Sequence, residues 1–463
     1  MKVRSLSALL ALILMGALPS VSRAQARRVA VLDFANETQD PAVEALGPVI
    51  AETLTTKLAS LRALHLVERD RLYELLQAQR LHRTDLVDPS HAIRVGKLLG
   101  AERVVLGAYV VQGDSVSVTA QFVDTATGAI VATSRVQGTY DPGNPRGFWA
   151  AIDQLAQATI DSLNTHVTIV QARPQLVLVP PARRIEPTPA ERRRLTAPPA
   201  RSLEAQEIYG RGLLSYRRGD YAGAAREFER ATSMDPDYVE AWVSLGVALG
   251  SLGQSPRATA AFERAYQLYL TLDDEAGQAS TLGRIGIEYD RQGRSADALI
   301  QYEGSLTLLR KLGDEAGQAT TLHNIGVSRT GQGRYADAFA AHGRALALQE
   351  SLGNQAGQAM TFYAIGLAHE GQGRHAEALA AYGRALALQE TLGDEAGQAI
   401  TDTRMGDVHG SQGRYAEALG SYGRALALQE KVGNQAGQAS TLYATGLTHE
   451  VQGRHAEALA AYG

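Results

Sequence analysis

The sequence predicts a two-part fold, an α/β domain with a mixed sheet followed by an all-α solenoid. Three observations carry that expectation. The C-terminal half repeats itself every 40 residues: "AGQA" begins at 276, 316, 356, 396 and 436, and "QGR" at 292, 332, 372, 412 and 452. A fixed period of this size belongs to stacked units that bury their apolar faces only against neighbours. From Arg27 to about Val170 the pattern instead alternates apolar strands with helix-spaced apolar residues. Between the two, Ala172 to Arg201 holds seven prolines and seven arginines, a composition suited to a semi-extended, solvated spacer. The expected organisation is a signal peptide over 1–26, an α/β domain over 27–170, a linker over 171–202 and the repeat array over 203–463.

The chain opens with Lys2 and Arg4 ahead of an apolar run from Leu6 to Leu18. That run suits a signal-peptide core and is shorter than the roughly 20 residues a spanning helix needs. Small residues allow cleavage after Ala24 or Ala26. The expectation is export to a bacterial periplasm, with association with the outer membrane kept open. Cysteine is absent, which excludes disulfides, thiolate metal sites, a cysteine nucleophile and a lipid-modified N-terminal cysteine. The 45 Lys and Arg against 49 Asp and Glu give a formal net charge of −4, which argues against attraction to nucleic acid.

In the α/β half, "RVAVLDF" (Arg28 to Phe34) reads as a buried strand. Leu46, Ile50, Leu54 and Leu58 mark one face of a helix over 43–60. "LHLVE" is a second short strand. The helices "RDRLYELLQAQRL" and about Pro89 to Leu99 follow it. "ERVVLGAYVV", "SVSVTAQFV" and "AIVATSRV" then form antiparallel strands joined at Gly113-Asp114 and Thr127-Gly128, and a helix from Phe148 to Leu163 closes the unit. Asp33, Glu68, Arg69, Asp70 and Asp124 are the conspicuous charges. They sit at strand ends and helix starts, where structural roles are expected. No nucleophile elbow, phosphate loop or dinucleotide fingerprint is present.

This half resembles the domain shared by the curli-secretion channel (CsgG) family and the TolB amino-terminal domain. The resemblance is carried by "VAVLDF", "LVERDRLYELLQAQRL", "VGKLLGAERVVLGAYV" and "FVDTATGAIV". It implies work in envelope assembly or secretion rather than catalysis. The segment lacks the lipobox cysteine and is short for the pore-forming hairpins of a curli channel. A secretion-channel component is the alternative.

Each 40-residue unit reads as two helices. Gly353-Asn354 and Gly393-Asp394 place a stop glycine before an N-cap. Leu282, Ile285, Gly286 and Tyr289 share one face of the first helix, Gly293 ends it, and Ala298, Tyr302 and Ser305 mark the inner face of the second. The unit near Val239 has Trp242, Leu245, Gly246, Ala258, Phe262 and Ala265. The preceding one has Gly212, Gly219, Tyr221, Ala224, Phe228, Ala231 and Pro236. These spacings resemble the tetratricopeptide repeat (TPR) family, in the extended form found in kinesin light chains. Six complete units and a truncated seventh are expected. The resemblance implies a right-handed superhelix whose groove holds a protein or peptide, with Arg284, His323, Asn324, Tyr363, Arg404 and Tyr443 among its inward side chains.

"HEGQGRH" (His369 to His375) and "HEVQGRH" (His449 to His455) superficially suggest zinc. Zinc-protease helices place two histidines at i and i+4. Here the spacing is six, with Gly373 or Gly453 between them, and His375 and His455 occupy the slot held elsewhere by Tyr221, Tyr335 and Tyr415. The expectation is no metal, no cofactor and no enzymatic activity. The second copy of "QGRHAEALAAYG" stops at Gly463, leaving Ala458, Leu459 and Tyr462 without the neighbour the first copy has. The reading is a fragment of a longer reading frame, which keeps open a catalytic domain after residue 463.

Overall fold

The computed structural model of the chain describes residues 27–38, 40–59, 61, 64–67, 72, 75, 89–141, 146–164, 166–170, 175–179, 187, 192 and 203–463. The candidate signal peptide, Glu68, Arg69, Asp70 and most of the "RDRLYELLQAQRL" helix lie outside them.

Strand β1 (Arg27–Asn36) runs parallel to β2 (Leu64–Leu66) and to β3 (Arg103–Gln112). β3, β4 (Ser115–Asp124) and β5 (Ile130–Thr139) form an antiparallel meander, giving the mixed order β2-β1-β3-β4-β5. Alternation along the strands divides the core. Val29, Val31, Phe34 and Val105 pack with Leu54 of helix α1 (Leu46–Ala59) and Phe148 and Ile152 of α3 (Arg146–Leu163). The neighbouring residues Ala30, Leu32, Val104 and Leu106 point to the other face, because successive strand side chains do so. That face is covered by Val95 and Leu99, contributed by helix α2 (Pro89–Leu98) and the turn after it. A two-residue-period pattern with both faces apolar needs two covering layers.

One boundary differs from expectation. Strands β6 (His166–Val170) and β7 (Gln175–Val179) pair antiparallel, with His166 opposite Val179. Residues 175–179 of the Pro/Arg-rich stretch therefore form a strand. "QLVLV" is rich in β-formers and its prolines lie outside the ladder, so it can pair where the rest of the stretch cannot.

Fourteen helices follow as seven antiparallel pairs. They are α4 (Leu203–Arg217) with α5 (Tyr221–Met234), α6 (Val239–Ser251) with α7 (Ser255–Thr271) and α8 (Glu275–Arg291) with α9 (Ser295–Leu312). Next come α10 (Glu315–Gly331) with α11 (Tyr335–Ser351) and α12 (Gln355–Gly371) with α13 (His375–Leu392). α14 (Glu395–Ser411) with α15 (Tyr415–Val432) and α16 (Gln435–Val451) with α17 (His455–Tyr462) complete the array. The turn inside each 40-residue unit passes through a left-handed residue, as at Gly293 (φ 74°) and Gly373 (φ 70°), which only glycine adopts freely. Between units, Asn354 and Asp394 cap the next helix by accepting from the backbone N–H of Gly357 and Gly397, at 3.0 Å each.

Within a pair, a glycine of the first helix faces a ring of the second. A methyl group on Gly286 would lie 2.5 Å from the Tyr302 ring, and one on Gly366 2.4 Å from Tyr382. The ring's hydroxyl then reaches back to a carboxylate on the first helix: Tyr302 donates to Asp290 at 3.0 Å and Tyr382 to Glu370 at 2.7 Å. His375 and His455 begin second helices, at the position of Tyr335 and Tyr415.

The solenoid does not stand apart from the sheet. α4 lies against α1 so closely that a Cβ on Gly210 would meet the Ala45 carbonyl oxygen at 2.5 Å. Arg217 pairs with the buried Asp33 at 2.9 Å, and Tyr140 donates to Glu207 at 2.7 Å. The apolar core beginning at Ala30 and Leu32 continues through Tyr209, Leu213, Leu245 and Ile285 without a break. Asp33 is thus a fastening between the halves. Asp124 holds Arg103 across the β3–β4 pair. Burial favours its neutral form, but Thr127 N–H and the Arg103 guanidinium outweigh burial and keep its carboxyl below the usual range.

The seam also buries a carboxyl. Glu240 on α6 is 8% exposed. Burial pushes its pKa up to about 8, with Glu52 of α1 and Asp274 adding repulsion against hydrogen bonds from its own backbone and from Thr56. A folded value above the 4.5 of a free glutamate means that folding holds a proton. That contribution to stability is complete below the free value and disappears as pH rises through about 8. Glu240→Gln should therefore gain stability relative to the parent as pH rises across that window, read from paired chemical denaturations at several pH values. A constant difference would show that Glu240 does not titrate in the seam.

Ala378 and Ala418 are both fully buried between paired helices. Replacing either with leucine should overpack the pair and cost about 1–3 kcal/mol, read from the shift in unfolding midpoint. In the last pair Leu459 is 72% and Tyr462 41% exposed, whereas the equivalent Tyr382 is fully buried. Amide exchange should accordingly be faster from Ala436 onward than over residues 356–383. Equal protection would mean that stacking neighbours do not support these units.

Candidate functional site

The first helices of five successive units converge on one space and so define the inner side of the array. Val247 and Ser251 come from α6, Arg284, Ile287, Glu288 and Arg291 from α8, and Thr320 and Asn324 from α10. Ala356, Ala359 and Met360 come from α12, and Ala396, Gly397 and Ile400 from α14. The opposite wall belongs to the α/β domain, through Leu98 and Leu99 at the end of α2. The space measures about 570 Å³, within the roughly 300–1,000 Å³ of ordinary ligand sites, which favour domain interfaces.

The two walls meet again at the far end. An Arg94 Nη2 of α2 donates to the Gly393 carbonyl at 3.2 Å, linking residues 299 positions apart. Gly100 abuts Asn354: a Cβ there would lie 3.0 Å from the asparagine Oδ1. Burial raises the Asp394 carboxyl beside this contact, while the Gly397 N–H and the Arg94 charge hold the rise back. The α/β domain therefore bridges the groove from the first unit to the fifth and sixth.

The expected groove residues separate into two sets. Arg284 and Asn324 line the chamber, and Arg284 lies 6.0 Å from the centre of the Phe262 ring. Arg404 occupies the equivalent place in α14, 3.6 Å from Asp407. A hydrogen bond with Tyr363 is the first of the interactions that stabilise its charge. His323, Tyr363 and Tyr443 stand one position earlier in their units and turn to the second helix. Their rings meet His342 at 5.5 Å, Tyr382 at 5.5 Å and Tyr462 at 5.8 Å between centroids. His323 Nδ1 also shares a hydrogen bond with Thr361 at 3.1 Å, across to the next unit.

Sequence reasoning passed over Thr320, Met360 and Ile400. They follow "AGQA" in three units, where Ser280 and Ser440 stand in two others. Met360 is 50% and Ile400 52% exposed. The signal was present as one variable column beside an invariant tetrad, but its direction depends on how the units stack.

Arg291 donates to Glu288 at 2.7 Å. Among the described residues no group of three or more histidine or acidic side chains is arranged to hold a metal ion. His369, from the first of the two histidine motifs, packs on Phe339 at 4.5 Å between ring centroids. Burial first, then Arg374, disfavours its charged form.

Family models match both parts of the chain. The family described as curli production assembly/transport component CsgG matches residues 15–112. Tetratricopeptide-repeat models match residues 209–271, 317–391 and 397–463. No curated protein matches the chain. Among solved structures, aspartyl phosphate phosphatase F from Bacillus subtilis is 16% identical, with 56% of this chain and 68% of that one covered and a TM-score of 0.45. BtubC from P. vanneervenii is 20% identical, covering 46% and 90%, with a TM-score of 0.39. A signal transduction ATPase with a tetratricopeptide repeat sensor from Pyrococcus horikoshii is 12% identical, covering 56% and 41%, with a TM-score of 0.46. The chain therefore joins a CsgG-type amino-terminal segment to an array of tetratricopeptide repeats.

Proposed function

We propose that the protein is a non-catalytic, exported adaptor of the cell envelope that holds a protein partner on the inner wall of its repeat array. One observation carries this reading: two large apolar side chains, Met360 and Ile400, stand half-exposed and both line that wall. Isolated exposed apolar residues are ordinary, but neighbours converging in a concave site favour a ligand. Methionine is suited to such a surface because its flexible, polarizable chain adapts to what it meets.

Two further features support a binding role over catalysis. In the chamber Glu288 pairs with Arg291. The CsgG-type match points to assembly and transport at the envelope, and the Lys2–Leu18 leader pattern suits export. Among the described residues no helix is long and apolar enough to cross a membrane.

The adaptor reading is tested with a photo-reactive phenylalanine analogue in place of Met360, and separately in place of Ile300. Ile300 is 67% exposed on a second helix, outside the chamber. In cells that naturally make the protein, irradiation should join a defined partner to the Met360 position and not to the Ile300 position. Adding Ile400→Glu should abolish the product. Equal capture from both positions, or none from Met360, would overturn the proposal.

A further inference from the structure

The repeats supply their own internal alignment. Gly246 and Gly286 face the Phe262 and Tyr302 rings in successive units. Glu240 therefore stands in the column that continues as Ser280, Thr320, Met360 and Ile400, of which the last three line the inner side of the array. In the second unit that inner place holds a carboxyl, and the α/β domain covers it. Thr56 of α1 donates to Glu240, and Glu52, one helical turn earlier, acts on it as a like charge.

The surroundings suit a neutral carboxyl and not a charged one. Acids act on Glu240 from two sides, Glu52 on α1 and Asp274 at the head of α8. Three phenols share its field: Tyr209 of α4, Tyr238 at the head of α6 and Tyr269 of α7. Asp235 acts in turn on Tyr238, and the cation acting on Tyr269 is Arg284 of α8. Lys57, next to Thr56 in α1, pairs with Asp153 of α3 at 2.7 Å. Oε2 of Glu240 is buried without a hydrogen-bond partner. Ionised in place, Glu240 would keep that oxygen unsatisfied against two like charges, which a buried group avoids by staying neutral or by regaining water.

Water is most readily regained at the seam, because Glu240 belongs to the array and Glu52 and Thr56 to the α/β domain. Among the described residues no backbone hydrogen bond joins the two halves. We infer that Glu240 is a proton-controlled latch: protonated, it lets α1 close on the first repeats, and ionised, it drives the α/β domain off them and uncovers the inner side of the second unit.

Burial first, then Glu52 and Asp274, carry the Glu240 pKa up to about 8 in the closed seam. Once parted and solvated, the group returns toward the 4.5 of a free glutamate, so opening releases one proton. The open fraction accordingly rises with pH between those two values, by about ten-fold per unit, and levels off above the higher one.

The chain has no cysteine, so one introduced thiol reports on the seam in the full-length purified protein. Val49→Cys places it against α4, since Val49 is 1% exposed and a Cβ on Gly210 would lie 2.8 Å from it. Ala45→Cys, at the same contact, replaces it if the first variant is poorly folded. Ile152→Cys, fully buried within the α/β domain, reports on unfolding of that domain as a whole. Rates with 4,4′-dithiodipyridine are divided at each pH by the rate at Leu447→Cys, where the parent side chain is 42% exposed. That ratio removes the titration of the thiol itself.

The ratio at Val49→Cys should rise about ten-fold per unit from about pH 5.5 to 7.5 and then flatten, while the ratio at Ile152→Cys stays constant. Adding Glu240→Gln should abolish the rise. Adding Glu52→Gln should move the plateau to lower pH, because one like charge is gone. A flat profile at the seam thiol, or a rise that survives Glu240→Gln, would overturn the latch. So would an equal rise at Ile152→Cys, which would mean that the domain unfolds instead of parting. No partner enters the measurement, so its result stands apart from the adaptor reading.

Discussion

The array depends on a ring lying where a helix has no side chain. In seven successive units the first helix presents a glycine and the second an aromatic ring or imidazole. A Cβ at Gly212, Gly246, Gly286, Gly326, Gly366, Gly406 or Gly446 would lie 2.2–2.6 Å from that ring. Glycine costs helix stability by about 0.8–1 kcal/mol relative to alanine, so its presence in each first helix must be offset by packing. Burying an aromatic side chain contributes on the order of 1.5–3 kcal/mol. The close approach sets the spacing of each pair, and repetition of that spacing brings five first helices around one space.

The same geometry accounts for the polar pairing at the tyrosine rings. Tyr302, Tyr382 and Tyr462 all reach a carboxylate twelve residues earlier, at Asp290, Glu370 and Glu450. Gly410 lacks a carboxylate, and Tyr422 turns to Asp407 at 2.9 Å instead. In the fourth unit the ring is His342 and the twelfth preceding residue is Thr330. The imidazole is fully buried, and burial pushes its pKa down to about 4, so it remains neutral at ordinary pH. A phenol buried with its hydroxyl on a carboxylate and a neutral imidazole are two solutions to filling one glycine-lined slot.

The α/β domain uses the solenoid as its missing layer. Its sheet is apolar on both faces, and α1 and α3 cover one of them. The other continues through α2 into the first repeats, so neither half presents a complete surface alone. This arrangement changes what the groove is. A free superhelix would offer an open trough to a partner, whereas here one wall of the trough is the chain's own helix. The groove is consequently lined from two distant segments, around Leu98 and around Met360 and Ile400.

Much of the fold was legible in the sequence because its causes are local. The 40-residue period, the caps at Asn354 and Asp394, the left-handed glycines and the strand alternation of "RVAVLDF" each follow from backbone and side-chain chemistry within a few residues. The hairpin of β6 and β7 was missed because prolines on either side masked a five-residue β-forming run. The candidate site was legible only in part. The resemblance to tetratricopeptide repeats named Arg284 and Asn324 among the inward side chains, and both line the chamber. The adjacent His323, Tyr363 and Tyr443 look equivalent in sequence, yet one position is a 100° turn of the helix, enough to bring their rings against rings of the second helix. The sequence by itself determined the repeating unit and both domain types. The tertiary structure alone decided that the sheet's second face would be buried by the repeats, because that contact joins residues such as Asp33 and Arg217, or Arg94 and Gly393, whose proximity no local pattern encodes.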